Sequence, residues 1–248
     1  MNKKIKLTFQ WAMVIILSIY MMGSLAQNVL AIKSFGTPTF AVATAGTLIS
    51  WLVFLAMDLI TEIWGKKPAI RIFWLSAILN LIYAGIVWIA IVIPGTSPDY
   101  IDPQYATILG TSWRIALGSI VAFICGNYLN TGIMYIMRVR SKDKKKTGGF
   151  IARALISTFV GQFADNALFY LIAFSPLGIS SVEHSWLFLL EMTACVTLIE
   201  TLLEVLISPL TAYTAHKLQA LKESEGIKTT ADYENEKEAL KWQEKTNN

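Results

Sequence analysis

The chain has few charged residues and very few of the residues that form metal centres or covalent cross-links. Of its 248 residues, 15% are charged and 54% are hydrophobic, whereas soluble domains average about 25% charged residues. This composition excludes an ordinary water-soluble globule. The two cysteines, Cys125 and Cys195, lie inside apolar stretches, so the sequence offers neither a disulfide framework nor a cysteine-based zinc site.

Catalytic and nucleotide-binding patterns are also lacking. The two histidines, His184 and His216, lie at the ends of apolar stretches and belong to no cluster with metal-ligand spacing. No Ser-His-Asp set can be assembled, and no Gly-x-x-x-x-Gly-Lys phosphate-binding loop occurs. The net charge of +4 is too small and too scattered for a nucleic-acid-binding surface. We therefore expect no enzyme activity, no metal, no cofactor and no direct contact with nucleic acid.

What the sequence does contain is a series of long apolar stretches. About 20 apolar residues in a helix cross the hydrocarbon core of a bilayer, and helices satisfy their own backbone hydrogen bonds in lipid. We therefore predict an all-α polytopic membrane protein, a bundle of six transmembrane helices. The predicted spans are residues 10–31, 39–60, 70–93, 113–137, 151–174 and 186–213.

Basic residues predict the orientation of these spans. Of the 21 Lys and Arg residues, 19 fall in alternate segments, and Lys33 and Arg114 are the exceptions. Because cytoplasmic loops collect Lys and Arg, both termini are predicted to lie inside, in a multi-pass protein of the cytoplasmic membrane. One alternative is a cleaved signal peptide ending near Ala26, which would leave five spans and an external N-terminus.

The chain divides into a six-helix transmembrane domain, residues 1–213, and a charged, partly helical cytoplasmic tail, residues 214–248. A basic run at residues 138–146 either stops translocation or binds anionic lipid headgroups. The outward apolar faces could contact lipid or a second copy of the chain.

Polar residues inside the predicted spans indicate a functional site, because an ionisable group costs several kcal/mol in the membrane. The fifth span carries polar and small residues three to five positions apart, which places them on one stripe of a helix. We favour a cavity lining over simple packing contacts between helices. The stripe comprises Ser157, Thr158, Gly161, Gln162, Asp165 and Asn166.

Three other pairs of polar residues are candidates. Asp58 and Glu62 are four residues apart on one face of the second span, either in the site or exposed near basic residues. Asn127 and Asn130 of the fourth span either face the same interior or bond between helices. Glu200 and Glu204 of the last span either carry protons or coupling ions, or are neutral structural groups.

Four ordered motifs resemble the queuosine precursor transporters, also called the vitamin uptake transporter family. They are Asn28-Val-Leu-Ala-Ile-Lys33, Asp58-Leu-Ile-Thr-Glu-Ile-Trp-Gly-Lys-Lys67, Gly126-Asn-Tyr-Leu-Asn130, and Arg153-Ala-Leu-Ile-Ser-Thr-Phe-Val-Gly-Gln-Phe-Ala-Asp165 followed by residues 169–174. The resemblance covers most of the chain and extends to Glu204, Pro209 and Asp232-Tyr233. Basic residues stand in some relatives near the positions of Glu62 and Glu200, where this chain has acids.

The resemblance implies a six-helix importer of 7-cyano-7-deazaguanine, 7-aminomethyl-7-deazaguanine or queuine, salvaged for queuosine in tRNA. A carboxylate accepts both N–H groups of a guanine-like edge, and Asp165 is the first candidate, with Asp58 or Glu62 as alternatives. The amides of Asn28, Asn127, Asn130 and Gln162, with Thr158, would complete the site. Phe169, Tyr128 or Trp64 would stack on the base.

Three functions compete at this point. The first is a stand-alone secondary transporter of a 7-deazapurine. The second is a substrate-binding membrane subunit that depends on a separate ATPase, since such subunits share this size and topology. The third is a membrane-embedded enzyme acting on a lipid, which the missing nucleophile, base and metal disfavour.

Overall fold

A computed structural model of the chain describes residues 8–37, 40–96, 101–140, 147–178, 183–230 and 232–233. The described part is mostly helical. In chain order its elements are α1 (Phe9–Leu30), β1 (Ser34–Thr37), β2 (Phe40–Thr44), α2 (Thr47–Trp64), α3 (Lys66–Val92), α4 (Ile101–Leu109), α5 (Ser112–Arg140), α6 (Thr147–Phe174) and α7 (Trp186–Ser224).

Several of these helices have the length and composition of membrane spans. Among the described residues, five helical stretches are long and apolar enough to cross a bilayer: Phe9–Leu30, Thr47–Trp64, Lys67–Val92, Asp102–Gly126 and Trp186–Ser224. The remaining predicted span, residues 151–174, falls on α6, a helix of 28 residues. The chain thus has the helices of a multi-pass membrane protein.

The prediction of an all-α fold is wrong at one place. Residues 34–37 pair antiparallel with residues 40–44, with Ser34 opposite Thr44 and a register shift between Phe35 and Gly36. α2 consequently begins at Thr47, eight residues later than the predicted span beginning at residue 39. A short apolar run is compatible with either a strand or a buried helix. Here residues 40–44 form a strand, whose backbone hydrogen-bonds to residues 34–37. The short helix α4 was also not predicted.

The hairpin marks one end of the bundle, which we call the hairpin end. The opposite end, where α1 begins and α7 finishes, is called the termini end. α2 and α3 meet at the termini end through Gly65, whose φ of 95° reverses the chain in a conformation that residues with a Cβ rarely adopt.

Each end of the bundle contains its own cluster of buried apolar side chains. At the termini end, the start of α1 and the end of α2 pack with α7, and the cluster includes Phe9, Met13, Leu59, Ile60, Ile63 and Leu218. At the hairpin end, β2 packs with α5, α6 and α7, and the cluster includes Ala43, Ile115, Tyr170, Phe174, Met192 and Val196. Polar side chains concentrate between the two clusters.

At the hairpin end, Arg114 joins the start of α5 to the end of α6. Its side chain is 3% exposed. Its guanidinium donates to the carbonyl oxygens of Ile172 at 3.0 Å and Ser175 at 3.1 Å, and it pairs with the Glu183 carboxylate at 3.3 Å. Arg114 therefore caps the last carbonyls of α6, which lack partners within the helix.

At the termini end, the segment after α7 folds back onto the bundle. Lys222, whose side chain is 3% exposed, pairs with Asp232 at 2.7 Å. The Thr229 hydroxyl donates to the carbonyl oxygen of Ile63 on α2 at 2.7 Å, and the backbone N–H of Phe9 donates to Glu225 at 3.1 Å. The predicted domain boundary at residue 213 lies inside α7; residues 234–248 of the predicted tail lie outside the described part.

Candidate functional site

Helices α1, α2, α5, α6 and α7 enclose a cavity of about 290 Å³ between the two apolar clusters. This volume is close to the lower limit for small-molecule sites, about 300 Å³. Thr44 of β2 and Phe73 of α3 complete the wall. The polar residues of the wall are Ser24, Gln27, Asn28, Thr44, Thr47, Asp58, Ser119, Thr158, Gln162, Asp165, Asn166, Glu200 and Glu204.

α6 contributes the polar stripe that the sequence predicts. Thr158, Gly161, Gln162, Asp165 and Asn166 all line the cavity, because a spacing of three to four residues keeps side chains on one helical face. The side chain of Ser157 lies outside the described residues. The stripe therefore faces the cavity rather than lipid.

Two amides of α6 bind two carboxylates of α7. Gln162 Nε2 donates to Glu204 Oε2 at 2.7 Å, and the Thr201 hydroxyl donates to Gln162 Oε1 at 2.8 Å. Asn166 Nδ2 donates to Glu200 Oε2 at 3.0 Å, one helical turn away. The same amide approaches Thr197 Oγ1 at 3.3 Å. The α7 carboxylates are thus held in place by neutral donors.

Asp165 lies against Gly126 of α5. A Cβ at position 126 would come within 2.9 Å of Asp165 Cβ and 3.0 Å of the Gly161 carbonyl oxygen, so only glycine allows this close helix approach. Among the described residues, none donates a hydrogen bond to the Asp165 carboxylate. Asp165 therefore lines the cavity beside the close approach of α5 and α6.

A second polar network fixes Asn28 of α1. Its Oδ1 accepts from the Ser119 hydroxyl at 2.8 Å, and its Nδ2 donates to Asn80 Oδ1 at 2.8 Å. Asn80 Nδ2 in turn donates to Ser24 Oγ at 3.3 Å and to the Ser76 carbonyl oxygen at 2.9 Å. The orientation of Asn28 therefore depends on α3 and α5.

Asn80 and Ser76 contact cavity-lining residues and were not predicted from the sequence. They lie one turn apart on α3, where they form a polar pair within a strongly apolar helix. That spacing was a usable signal, because polar side chains in a membrane helix face other helices more often than lipid.

The cavity is acidic. Asp58, Asp165, Glu200 and Glu204 line it, and no Lys or Arg occurs among its described lining residues. Electrostatic repulsion acts between Asp165 and Glu200, between Glu200 and Glu204, and between Glu204 and Asp58. In the described part of the chain, no group of three His, Cys, Asp or Glu residues has the arrangement of a metal site.

Some predicted site residues lie elsewhere or are not described. Glu62 is exposed and is not among the cavity-lining residues, although Asp58, one turn away, is. The side chains of Asn127 and Asn130 lie outside the described residues, although Gly126 beside them lines the cavity. The assignment of these two amides to the site therefore stays a prediction.

Of the three aromatic candidates, Phe169 lines the cavity and the other two do not. Tyr128 is 80% exposed, and Trp64 packs against the apolar cluster at the termini end. Their identification as stacking residues fails because sequence spacing alone does not fix the direction of an isolated aromatic residue. The lining aromatics missed by the sequence reasoning are Tyr20, Phe54, Phe73, Phe123 and Tyr170.

Comparisons with known proteins bear on this cavity. A family profile described as "Putative vitamin uptake transporter" matches residues 44–214, more than half of the chain. A protein of Bacillus subtilis (strain 168) named "Probable queuosine precursor transporter" is 30% identical over 141 residues, 55% of this chain and 58% of the relative. The chain thus spans less than two thirds of that relative's length. No solved structure matches the chain at a significant level.

Proposed function

Because the chain belongs to the vitamin uptake transporter family, we propose that it imports a queuosine precursor, a free 7-deazaguanine base, across the cytoplasmic membrane. The observation that carries the proposal is the cavity of about 290 Å³ lined by carboxylates, amides and aromatics inside a bundle of membrane helices. The Bacillus subtilis relative, named as a probable queuosine precursor transporter, supports the substrate class. The partner is the free base, not the tRNA into which it is later built.

Asp165 is the group that we assign to the guanine-like edge of the base. That edge presents a ring N–H and an exocyclic amine side by side, and a carboxylate accepts both in parallel, with hydrogen bonds about twice as strong as neutral ones. Asn28 supplies an amide that its neighbours hold in place. A base lacking either N–H group would leave one oxygen of Asp165 unpaired, which is how such sites reject analogues.

Aromatic walls suit the flat faces of the base. Phe169 and Tyr170 of α6 line the cavity, and so do Phe73 of α3 and Phe123 of α5, whose rings stack on each other with their centroids 3.7 Å apart. Planar ligands stack on such rings in offset geometry. The cavity therefore combines apolar faces with a polar edge, as a purine-like base requires.

For the topology we propose six spans with both termini in the cytoplasm. α6 supplies the sixth span, since its 28 residues exceed the roughly 20 needed. The termini end, including the turn at Gly65, then faces the basic cytoplasmic side, and the hairpin end faces outward. The basic run at residues 138–146 lies outside the residues whose side chains are described.

For the energy source we propose secondary transport by this chain alone, with Glu200 and Glu204 as candidates for proton or ion coupling. No phosphate-binding loop occurs in the sequence. The alternative is a substrate-binding subunit of an ATP-driven importer, and the reconstitution experiment below distinguishes the two.

The test combines complementation with reconstitution. A strain that neither makes nor imports queuosine precursors receives the gene, each of the three bases is supplied, and queuosine in tRNA is measured. The purified full chain in liposomes is then assayed for uptake of the same labelled bases, with empty liposomes as the control. Restored queuosine together with uptake by the chain alone supports the proposal. Binding without uptake overturns the secondary mechanism, and neither binding nor restoration with any base overturns the substrate class.

Asp165→Asn gives a sharper test of the site. The amide cannot accept two parallel hydrogen bonds from the base, so affinity is expected to fall about 100-fold or more, while the protein still inserts and elutes as a single species. Glu223→Gln is the matched control, since Glu223 is an exposed acid of α7 outside the cavity. Unchanged affinity in Asp165→Asn would remove Asp165 from the site.

A further inference from the structure

The cavity has more carboxylates than a neutral base can pair with. One carboxylate is enough for the guanine-like edge, yet four acids line the described wall and no Lys or Arg side chain there offsets them. Carboxylates taken out of bulk water without a counter-charge are costly. A positive charge on the substrate would supply the missing partner.

The four acids form two groups at different positions along the helix axis. Glu200 and Glu204 lie four residues apart on α7, about 6 Å along the helix axis. Asp165 directly precedes Asn166, the residue that binds Glu200. Asp58 lies in the second half of α2, toward the termini end, and lines the same cavity as Glu204. The Asp165–Glu200 pair therefore lies near Asn166, and the Asp58–Glu204 pair lies about one helical turn closer to the termini end.

The Asp58–Glu204 pair still has acceptor capacity. Gln162 donates to Oε2 of Glu204, and the Thr158 hydroxyl also hydrogen-bonds to this carboxylate. Because the two oxygens of a carboxylate offer about four acceptor sites, Glu204 can accept a further donor. Among the described residues, none donates a hydrogen bond to Asp58, and its side chain is exposed to the cavity. An ammonium group carries three donors and no acceptor, so it matches two neighbouring carboxylates.

The three candidate bases differ in the charge of the substituent at the 7-position. The 7-aminomethyl base carries a primary ammonium and queuine a secondary one, on the five-membered ring away from the guanine-like edge. The 7-cyano base carries a neutral nitrile, whose nitrogen only accepts and would face carboxylates that also only accept.

We propose that this cavity selects 7-deazaguanines bearing an ammonium group at the 7-position over the neutral nitrile, with Asp165 on the ring edge and the Asp58–Glu204 pair on the ammonium. This inference rests on the function proposed above. It assigns Asp58 and Glu204 as specificity-determining residues of the same site.

Competition for uptake tests the inference in the wild-type protein. Proteoliposomes containing the full chain take up labelled 7-aminomethyl base in the presence of three competitors: the 7-cyano base, queuine, and the N-acetylated 7-aminomethyl base, which keeps the ring edge but loses the charge. We expect the nitrile and the acetylated base to compete about tenfold more weakly, or worse, than the unlabelled 7-aminomethyl base. Competition by queuine would extend the recognised class to secondary ammonium groups, whereas its failure would restrict the class to the primary amine.

Variants assign the preference to the proposed pair. Asp58→Asn and Glu204→Gln are expected to reduce the preference for the charged base to about threefold or less, and Glu223→Gln is expected to retain it. The preference of the variants is measured by competition for equilibrium binding, because Glu204 is also a candidate for ion coupling. Equal competition by the nitrile and the aminomethyl base in the wild-type protein would overturn the inference and leave the proposed function standing. If none of the bases is bound or taken up, the proposed function itself fails.

Discussion

Gln162 of α6 donates its side-chain amide to Glu204 of α7 across 2.7 Å. Asn166 makes the equivalent bond to Glu200 at 3.0 Å. Because the residues of each helix are four positions apart, the two bonds fix the register of α6 against α7. They also orient two carboxylates toward the cavity, where no Lys or Arg occurs among the described lining residues.

Removing the first of these amides is expected to destabilise the protein. In Gln162→Leu, Glu204 loses its amide donor and Thr201 loses its acceptor, so the unfolding free energy is expected to fall by about 1–3 kcal/mol. Thermal unfolding in detergent measures the loss. Gln219→Leu is the control, because Gln219 makes a similar but exposed bond to Glu223 at 3.2 Å and is expected to cost about 0.5 kcal/mol or less. Equal losses in both variants would show that the Gln162–Glu204 bond stabilises the protein no more than the exposed Gln219–Glu223 bond does.

Gly126→Ala is expected to disturb the site through the packing of α5 against α6. The added methyl group would lie 2.9 Å from Asp165 Cβ and 3.0 Å from a backbone oxygen, so the helices must separate. We expect a loss of about 1–3 kcal/mol in stability and weaker base binding, measured by thermal unfolding and equilibrium binding.

Gly85→Ala is the matched control for that substitution. Gly85 lies within α3, and a Cβ there would meet no atom within 4 Å. Replacing a helix-interior glycine by alanine is then expected to be neutral or stabilising by up to about 1 kcal/mol. Gly126→Ala with unchanged binding would argue against a close α5–α6 approach at Asp165.

The sequence predicted most of the fold because hydrophobic length dominates a membrane bundle. The observed start of α7 at Trp186 and the end of α6 at Phe174 match the predicted bounds. The hairpin was missed because Phe40–Thr44 continues an apolar run, and hydropathy does not distinguish a strand from the first turns of a helix. Phe40–Thr44 is a strand because it pairs with residues 34–37, and the hydropathy of a segment does not reveal its pairing partner.

The site was predictable where polar residues repeat at helical spacing within one segment. That pattern identified the α6 stripe at Gln162 and Asp165, and it also connected Glu200 with Glu204. It did not distinguish Asp58 from Glu62, because residues four apart share a helix face and only packing decides which of them reaches the cavity. Ser76 and Asn80 of α3 have that helical spacing and could have been found by it. The hydrogen bond from Asn28 to Asn80 joins two different helices, and residue spacing within one helix does not reveal it.

Arg114 is expected to be replaceable by neither lysine nor methionine. Lysine lacks the planar fork that reaches Ile172, Ser175 and Glu183 together, so Arg114→Lys should cost about 1–3 kcal/mol. Arg114→Met also removes the charge that faces Glu183 and should cost about 3–5 kcal/mol. Denaturation of the purified variants measures both losses. Arg71→Lys, at an exposed position, is expected to change stability by about 0.5 kcal/mol or less, and a similar loss there would contradict the special role of Arg114.

The Lys222–Asp232 pair is expected to stabilise the termini end at neutral pH and to lose this effect in acid. Partial burial raises the pKa of Asp232, but the Lys222 ammonium and the hydrogen bonds from Thr229 outweigh it and hold the pKa below its ordinary 3.8. A carboxyl whose pKa is lower in the folded state stabilises the protein above its unfolded pKa, and the contribution disappears as pH falls through the folded pKa. Wild type should therefore unfold at a higher temperature than Asp232→Asn from pH 7 down to about pH 5, and the gap should close below about pH 4. A gap that stays constant to pH 3 would mean that Asp232 acts through packing rather than charge, and a gap that widens in acid would contradict the ion pair altogether.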